Sequence, residues 1–503
     1  MSSADNDFEM STVIKDNNKE NNKDKKEDEI KDEIKGEIKD EIKDEIKDEV
    51  KDNNKDDKRI YTMSKEKPYK AVLKMGVPLI FGMFIMVLYN LVDTFFIGLL
   101  KDDYQLAAVN LAYPVMMISV ALSNIVGVGA SSLIARTIGE NNFEKANKTL
   151  TDGYMLTFIN SMIMLIIGMV FLKPIAIGLG AKTNTLKYTM DYAGVLFLGS
   201  FFTMGNYTFG QLLRSEGSVK YSIVGMIGGT VTNIILDPVF IFGLGMEIKG
   251  AAIATILGNM AGALLSMSFY IRKKTLLKFT IKNLIPDKNI VKEIFFVGIP
   301  ATMETLLTSA AMIVNNNLAA GYGEFTVAAM GISSKLMTFG NYIYQGFAAG
   351  MQPIMGYNYG ARNYKRMLKV LYSGILIICV TELAVMLVFG IFAPDLIGIF
   401  SSTDEVIKTG SKVLRANMLI LPFVGGISGS RTTFQAMGKP AYAFIITCVR
   451  QLVLYIPLLL IMNKLFGFNG LIYAQPLTES VVMIFAVALL SLRLKRFESE
   501  NMT

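Results

Sequence analysis

The chain has 503 residues, of which 52% are hydrophobic and 18% charged, and its mean hydropathy is +0.41. These values exclude a soluble globular protein and are typical of a polytopic membrane protein. The formal net charge of +7 would also suit a nucleic-acid-binding protein, but the positions of the basic residues along the chain argue against that class.

Residues 1–66 form a segment of different composition. Residues 1–60 hold 14 Lys and Arg against 21 Asp and Glu, and the repeat KDEIKGEIKDEIKDEIKDEV places Ile or Val at every fourth position. Because this period is close to the helical 3.6, a solvated single helix and a disordered segment are both consistent with it. The segment lacks the basic start and apolar middle of a signal peptide. We predict a cytosolic tail over 1–66.

Twelve mostly apolar segments follow the tail, each long enough to cross a hydrocarbon core of about 30 Å as a helix. This pattern predicts an all-α protein with twelve transmembrane helices. The predicted spans are 75–100, 106–135, 151–172, 191–213, 221–244, 250–271, 293–319, 326–354, 370–393, 414–436, 442–463 and 467–491.

The basic residues predict the orientation of these spans. Beyond residue 60 the chain is left with 36 basic and 22 acidic residues, from totals of 50 and 43. Most of this surplus lies before the first span, in the even-numbered loops and after the last span. By the positive-inside rule, both termini are predicted to be cytoplasmic. The same placement makes a nucleic-acid partner the weaker interpretation.

An internal repeat divides the body into two halves. At an offset of 221 residues, Gly139 aligns with Gly360 and Asn142 with Asn363, and the segment LLRSEGSVKYS (212–222) aligns with TFQAMGKPAYA (433–443). Because each half has six spans, the repeats are parallel and related by an axis along the membrane normal. We predict an N-lobe at 67–271, a basic cytoplasmic linker at 272–292, a C-lobe at 293–496 and a C-terminal tail at 497–503. Two such lobes favour an alternating-access carrier, although some channels also contain repeats.

Charged residues inside the predicted spans are few. A carboxylate in the middle of a span costs about 2.5–3.5 kcal/mol on insertion scales, so such groups usually face a cavity, a partner or an ion path. The repeat does not duplicate them, which predicts that the lobes differ in their chemistry. The residues identified are Asp93, Asp237, Glu304, Lys335, Glu382, Arg450 and Glu479.

The fifth span contains the strongest candidate site. Asn233 and Asp237 are four residues apart and so share one helix face, and Pro238 follows directly. Their oxygens would suit Na⁺, or the carboxylate could carry a proton. The alternative is a helix–helix hydrogen-bond pair at a kink. Asn90 and Asp93 in the first span present the same choice.

Six segments of the chain resemble the multidrug and toxic compound extrusion (MATE) transporters, and in particular the MepA-like branch. The resemblance extends over about 65–496. The segments are VPLIFGMFIMVLYNLVDTFFIG (77–98), LLRSEGSVKYS (212–222), TNIILDPVFIFGLGMEIKGAAIAT (232–255), GIPATMETLL (298–307), QPIMGYNYGARNYKRM (352–367) and YAQPLTES (473–480).

The resemblance implies a cation-coupled antiporter of the cell membrane, with two six-helix lobes, that exports drug-like and often cationic amphipathic compounds. It implies a coupling site for H⁺ or Na⁺ at Asp93, Asn233, Asp237 and Thr255, with Asn206 as a further polar member. Glu304 matches an acid that some branches use for coupling, but LRANMLILPFVGGISGS (414–430) lacks the acid they pair with it. Glu479 stands where many relatives have Asp. Its role is either that of a structural bridge or that of a functional acid.

Two other function classes are compatible with a polytopic chain. A lipid-linked oligosaccharide flippase shares the two-lobe plan but needs a strongly cationic cavity, and we expect only Lys335 and Arg450 as basic residues within the spans. An enzyme would need a catalytic cluster, and the chain has no His, no GxSxG and no P-loop. We therefore expect no catalytic activity, no cofactor and no bound metal other than Na⁺. We expect a monomer in the lipid bilayer.

Overall fold

The computed structural model describes residues 55–100, 102–279 and 284–501. Within these ranges, the side chains of residues 55–57, 89–91, 94, 103, 324 and 496–501 lie outside the description. Most of the predicted N-terminal tail is likewise outside it, and so is the side chain of Asn90. The described residues are almost entirely helical and contain no strand, as an all-α membrane protein requires because helices satisfy their own backbone hydrogen bonds.

Nine helices lie within the described residues of the first half of the chain. They are α1 (Lys55–Ser64), α2 (Pro68–Gly98), α3 (Asp103–Gly139), α4 (Phe143–Val170), α5 (Leu172–Gly178), α6 (Thr183–Leu198), α7 (Ser200–Ser215), α8 (Val219–Pro238) and α9 (Glu247–Ile271). A π-helical segment, Val239–Gly243, continues α8.

In the second half, the part of the chain that the structure describes contains eight helices. They are α10 (Lys288–Ala320), α11 (Glu324–Gly360), α12 (Tyr364–Ile391), α13 (Ala393–Gly398), α14 (Asp404–Met418), α15 (Leu421–Ala436), α16 (Pro440–Cys448) and α17 (Ile456–Asn501). A π-helical segment, Val449–Tyr455, joins α16 to α17, and α17 is broken by a non-helical conformation at Gly467.

The helices account for the twelve predicted spans. Eight described helices are long and apolar enough to cross a membrane, and one of them, Pro440–Lys495, contains the last two spans on either side of Gly467. The bent pair α14 and α15, with an angle of 41°, adds another. The remaining two spans coincide with α6/α7 and with α11, which are less apolar.

The sequence repeat appears as repeated backbone geometry. Asn142 and Asn363 are the N-caps of α4 and α12, and each side chain accepts a hydrogen bond from a backbone N–H three residues later, at 3.0 and 3.1 Å. Gly217 and Gly438 both adopt positive φ, +82° and +67°. Glycine is favoured there because a Cβ would be strained in this conformation. The two halves are thus the same supersecondary unit used twice.

The lobes pack against each other on the side where the linker lies, which we call the linker side. Gly76 of α2 lies against Phe347 of α11, and Gly298 of α10 lies against the backbone of Ile125 in α3. The two contacts are related by the repeat at an offset of 222 residues. Thr302 also donates a hydrogen bond to the carbonyl of Ala121 at 3.0 Å. The linker side is therefore closed by contacts between the two lobes.

Ion pairs and the linker reinforce this closure. Glu293 at the start of α10 pairs with Lys145 of α4 at 2.8 Å and lies 3.8 Å from the guanidinium of Arg136. The fully buried Asp152 accepts a hydrogen bond from the backbone N–H of Asp287 and pairs with Lys148 at 2.6 Å. The linker is thereby held to the N-lobe.

The end of the predicted tail contacts the C-lobe. Met63 is fully buried, and its carbonyl accepts hydrogen bonds from Asn358 at 2.8 Å and from Arg366 at 3.1 Å. Thr62 to Ser64 are therefore anchored at the loop between α11 and α12, although the sequence places them in the tail.

Candidate functional site

A buried polar cluster lies in the N-lobe where α2, α8 and α9 meet. Asn233 and Asp237 lie one turn apart on α8, and Thr255 faces them from α9. The amide nitrogen of Asn233 donates to Asp237 Oδ1 at 3.3 Å and lies 3.5 Å from Thr255 Oγ1. The three side chains are 0–3% exposed. Asp93 of α2 is close enough to Asp237 for the two carboxyl groups to interact electrostatically.

Glycines on α8 and α9 make this approach possible. A Cβ at Gly258 would lie 2.7 Å from the Cβ of Asn233, and one at Gly229 would lie 2.8 Å from the carbonyl oxygen of Gly258. Both distances are too short for a side chain, so the helices approach this closely because these positions are glycine. The π-helical turn after Pro238 then redirects the chain beyond Asp237.

Three oxygen atoms of the cluster are buried and have no hydrogen-bond partner among the described residues. They are Asp93 Oδ1, Asn233 Oδ1 and Asp237 Oδ2. Buried polar atoms are nearly always paired, and an unpaired one points to a ligand, an ion or a proton. Carboxylate and amide oxygens suit a hard cation such as Na⁺, and a carboxylate can alternatively bind H⁺. The cluster is therefore able to bind a cation or a proton.

Asn259 belongs to this site although it is absent from the residues singled out in the sequence. It lies one turn after Thr255, and its amide nitrogen donates to the carbonyl of Thr255 at 3.0 Å. Its oxygen accepts a hydrogen bond from Asn206 of α7 at 3.0 Å. Asn206 thus contacts the cluster through Asn259. The four-residue spacing of Thr255 and Asn259 is the one local pattern that points to it.

The structure gives Glu304 a basic partner, Arg431 of α15, with which it forms an ion pair. Arg431 directly follows the segment 414–430, which lacks the acid expected to pair with Glu304. The expectation that Lys335 and Arg450 are the only basic residues within the spans is wrong. Arg431 lies within α15, and Arg214 lies in the last turn of α7.

The remaining charged residues of the C-lobe have separate environments. Arg450 and Glu479 form a bidentate ion pair with distances of 2.6–3.0 Å, which joins the π-helical segment Val449–Tyr455 to α17. Glu382 of α12 is fully buried, and neither carboxyl oxygen makes a hydrogen bond of ordinary geometry with the described residues. The structure brings neither Glu382 nor Glu304 into the N-lobe cluster.

Comparison with known proteins identifies the family. The sequence model of the MatE family matches residues 78–239 and 300–461, one match in each lobe. The chain belongs to the MatE family. It is 31% identical over 437 residues to the multidrug export protein MepA of Staphylococcus aureus (strain MSSA476), a match covering 87% of this chain and 96% of that protein.

Two further similarities agree with this assignment. The chain is 30% identical over 439 residues to MepA of Staphylococcus saprophyticus, which covers 87% of this chain and 96% of that one. It superposes with a TM-score of 0.83 on a structure described as the outward-facing conformation of a multidrug resistance MATE family transporter, at 28% identity, covering 87% of this chain and 98% of that chain. The MATE fold is thereby shown, and the comparisons give the flippase alternative no support.

Proposed function

We propose that this MATE protein is a cation-coupled antiporter that exports drugs and other amphipathic organic compounds by alternating access. The observation that carries the proposal is the set of three unpartnered buried oxygens on Asp93, Asn233 and Asp237. A cation or a proton at this site would satisfy these oxygens. The description of the MepA relatives as multidrug export proteins supports this substrate class.

The first helix of the body, α2, couples the site to the interlobe contacts. Its second half carries Asp93 toward the N-lobe cluster, while Met75 and Leu79 in its first half are buried in a core shared with residues of the C-lobe. Pro78 interrupts the hydrogen-bond ladder between the two ends. Cation binding at Asp93 and Asp237 therefore favours a different packing of α2, which opens or closes the route for the substrate.

Either H⁺ or Na⁺ serves as the coupling ion in this proposal. The chain contains no histidine, so a proton would have to be carried by a carboxyl group, and Asp93 and Asp237 are the two available in the cluster. Na⁺ would use the same oxygens together with Asn233 and Thr255. No cofactor is required. Cation binding and drug release are linked because both change the relative free energies of the same two states.

The cellular setting follows from the distribution of charge. We propose a monomer in the plasma membrane. Both termini and the linker side are in the cytoplasm in this proposal, because the basic surplus lies on that side. The closed linker side is then the cytoplasmic side. This arrangement corresponds to the state that releases substrate outward.

Transport by purified full-length protein in proteoliposomes tests the proposal. A cationic dye is supplied, and its movement is followed under an imposed proton gradient, an imposed sodium gradient and neither. We expect the dye to move against its own gradient with one of the two ions. Dye movement that is unaffected by either gradient would contradict coupled antiport.

A further inference from the structure

A cavity of about 240 Å³ lies between the lobes on the closed side. It is separate from the N-lobe cluster, because Met83 lines the cavity and Asp93 is ten residues further along α2, about 15 Å away at 1.5 Å per residue. Its walls come from α2, α3 and α7 of the N-lobe and from α11 and α15 of the C-lobe. Polar side chains are concentrated there.

The polar lining residues occupy equivalent positions in the two repeats. Four pairs, each separated by 221 positions, line the cavity: Asn124 with Gln345, Ser131 with Gln352, Gln211 with Thr432, and Arg214 with Gln435. The cavity therefore lies on the axis that relates the lobes. Every member of these pairs is polar. Polar groups within a membrane are costly unless they are hydrogen-bonded to one another or to a ligand.

The fully buried side-chain atoms of this cavity that lack a hydrogen-bond partner among the described residues can all donate. They are Gln352 Nε2, Arg431 Nε and Ser428 Oγ. The N-lobe cluster presents the opposite pattern, because its unpartnered atoms are all oxygens. A site with excess donors binds a group rich in acceptors, such as a carboxylate.

The charges of the cavity also favour an anionic ligand. Arg431 is neutralised by Glu304, but Arg214 makes a hydrogen bond only to the Ser222 hydroxyl, at 3.0 Å, among the described residues. No Asp or Glu is among the residues described as lining the cavity. The guanidinium of Arg214 is therefore a positive charge without an acidic partner, which an anionic group would stabilise.

We propose that this cavity binds an anionic group of an amphipathic substrate, with Arg214 supplying the charge and Gln352 and Ser428 supplying hydrogen bonds. The inference rests on the proposed export function and assigns one subsite of it. The carboxylate of a zwitterionic substrate enters the cavity on the axis. Arg214 then determines specificity and has no part in the coupling of the ion.

Two rhodamine dyes that differ in one group test the proposal. Rhodamine 19 is a zwitterion with a free carboxylate, and rhodamine 6G is its cationic ethyl ester. Binding of each dye to purified full-length protein is measured by fluorescence titration. We expect Arg214→Gln to weaken the binding of rhodamine 19 about tenfold, because the carboxylate of this dye loses an ion pair. The affinity for rhodamine 6G should change by less than about twofold, since its ester forms no such pair.

Control variants distinguish the effect of losing the charge from the effect of impaired folding. Arg272→Gln removes the same charge from an exposed loop position and is expected to change neither affinity. Gln352→Leu and Ser428→Ala remove donors that have no partner among the described residues, so they test the site if Arg214→Gln does not fold. We expect each to weaken rhodamine 19 selectively.

Two results would overturn the proposal: equal loss of affinity for both dyes in Arg214→Gln, or unchanged rhodamine 19 binding in the folded variants. Gradient-driven export of rhodamine 6G by the wild type is measured in parallel. If this gradient-driven export is observed although the rhodamine 19 results contradict the anion site, the proposed antiport is still supported.

Discussion

The amide of Asn233 donates to one oxygen of Asp237 at 3.3 Å, and the other oxygen has no partner among the described residues. A helix–helix hydrogen-bond pair, the alternative interpretation of this motif, would be expected to satisfy both groups. The unpaired Oδ2 of Asp237 lies instead in a cluster with Thr255 and Asp93. This arrangement favours a binding role over a purely structural one.

Asn259 is expected to support the cation site from α9. Replacing it by Ala removes its hydrogen bonds to the Thr255 carbonyl and to Asn206. Groups that orient ligands typically change metal affinity by about 10–100-fold, so we expect at least about tenfold weaker activation by the coupling ion, with dye affinity unchanged. Ion-dependent dye export in proteoliposomes measures this. Asn110→Ala, at an exposed position where the amide contacts its own helix, should have no effect.

Glu304 and Arg431 are expected to behave as a pair. Glu304→Gln leaves the guanidinium of Arg431 without its acidic partner, and Arg431→Gln does the converse, so either should lower the melting temperature. The double variant should be more stable than either single one, because no unpaired charge remains. Thermal unfolding of the purified variants checks this order. Additive losses in the double variant would mean that the pair is not coupled.

Arg450 is expected to act in folding. Its bidentate pair with Glu479 is largely buried, and removing one partner of a buried pair costs about 3–5 kcal/mol. Arg450→Gln should therefore reduce the yield of folded protein more than the turnover per folded molecule. Lys335→Gln, which removes a charge from an exposed position of α11, serves as the matched control. Normal yield together with an altered substrate range would show that Arg450 contacts substrate.

Gly298 is expected to control the closure of the linker side. A Cβ at this position would overlap the backbone of Ile125, which cannot rotate away as a side chain can. Gly298→Val should shift the population toward the state open on this side, by about tenfold or ~1.4 kcal/mol. Maleimide labelling of the Ser132→Cys variant would report the shift, because Ser132 lies at the interlobe contact. Gly331→Val, where an added Cβ would have no described atom within 4 Å outside its own helical turn, should label like the parent.

Much of the fold could be predicted because membrane helices and repeats are encoded locally. The hydropathy pattern located the spans, and the Gly217 and Gly438 match predicted a repeated turn that the backbone shows. The four-residue spacing of Asn233 and Asp237 likewise predicted a shared face. These features depend on neighbours within one or two helical turns.

The rest of the site depends on contacts between distant segments. Asn259 and Asn206 are 53 residues apart, and Arg431 meets Glu304 across 127 positions of sequence. No local pattern specifies such pairs, because they are set by how the helices cross. The two-lobe plan predicts a cleft between the lobes, but its polar lining escaped prediction, since the donors come from both lobes and converge only after the repeats pack together.

Substitution of the two aspartates tests the central claim, that Asp93 and Asp237 form the coupling site. Asn at either position keeps size and hydrogen bonding but cannot titrate. Each variant is purified with Glu304→Gln as the comparison, and dye affinity, melting temperature, dye counterflow and gradient-driven export are measured.

Gradient-driven export in proteoliposomes is the deciding measurement. The account predicts that Asp93→Asn and Asp237→Asn abolish it while dye binding and counterflow persist, because the substrate path remains but the ion no longer drives it. Glu304→Gln should retain export per folded molecule. Normal export by both aspartate variants, or loss of export in Glu304→Gln alone, would contradict the account and place coupling in the C-lobe.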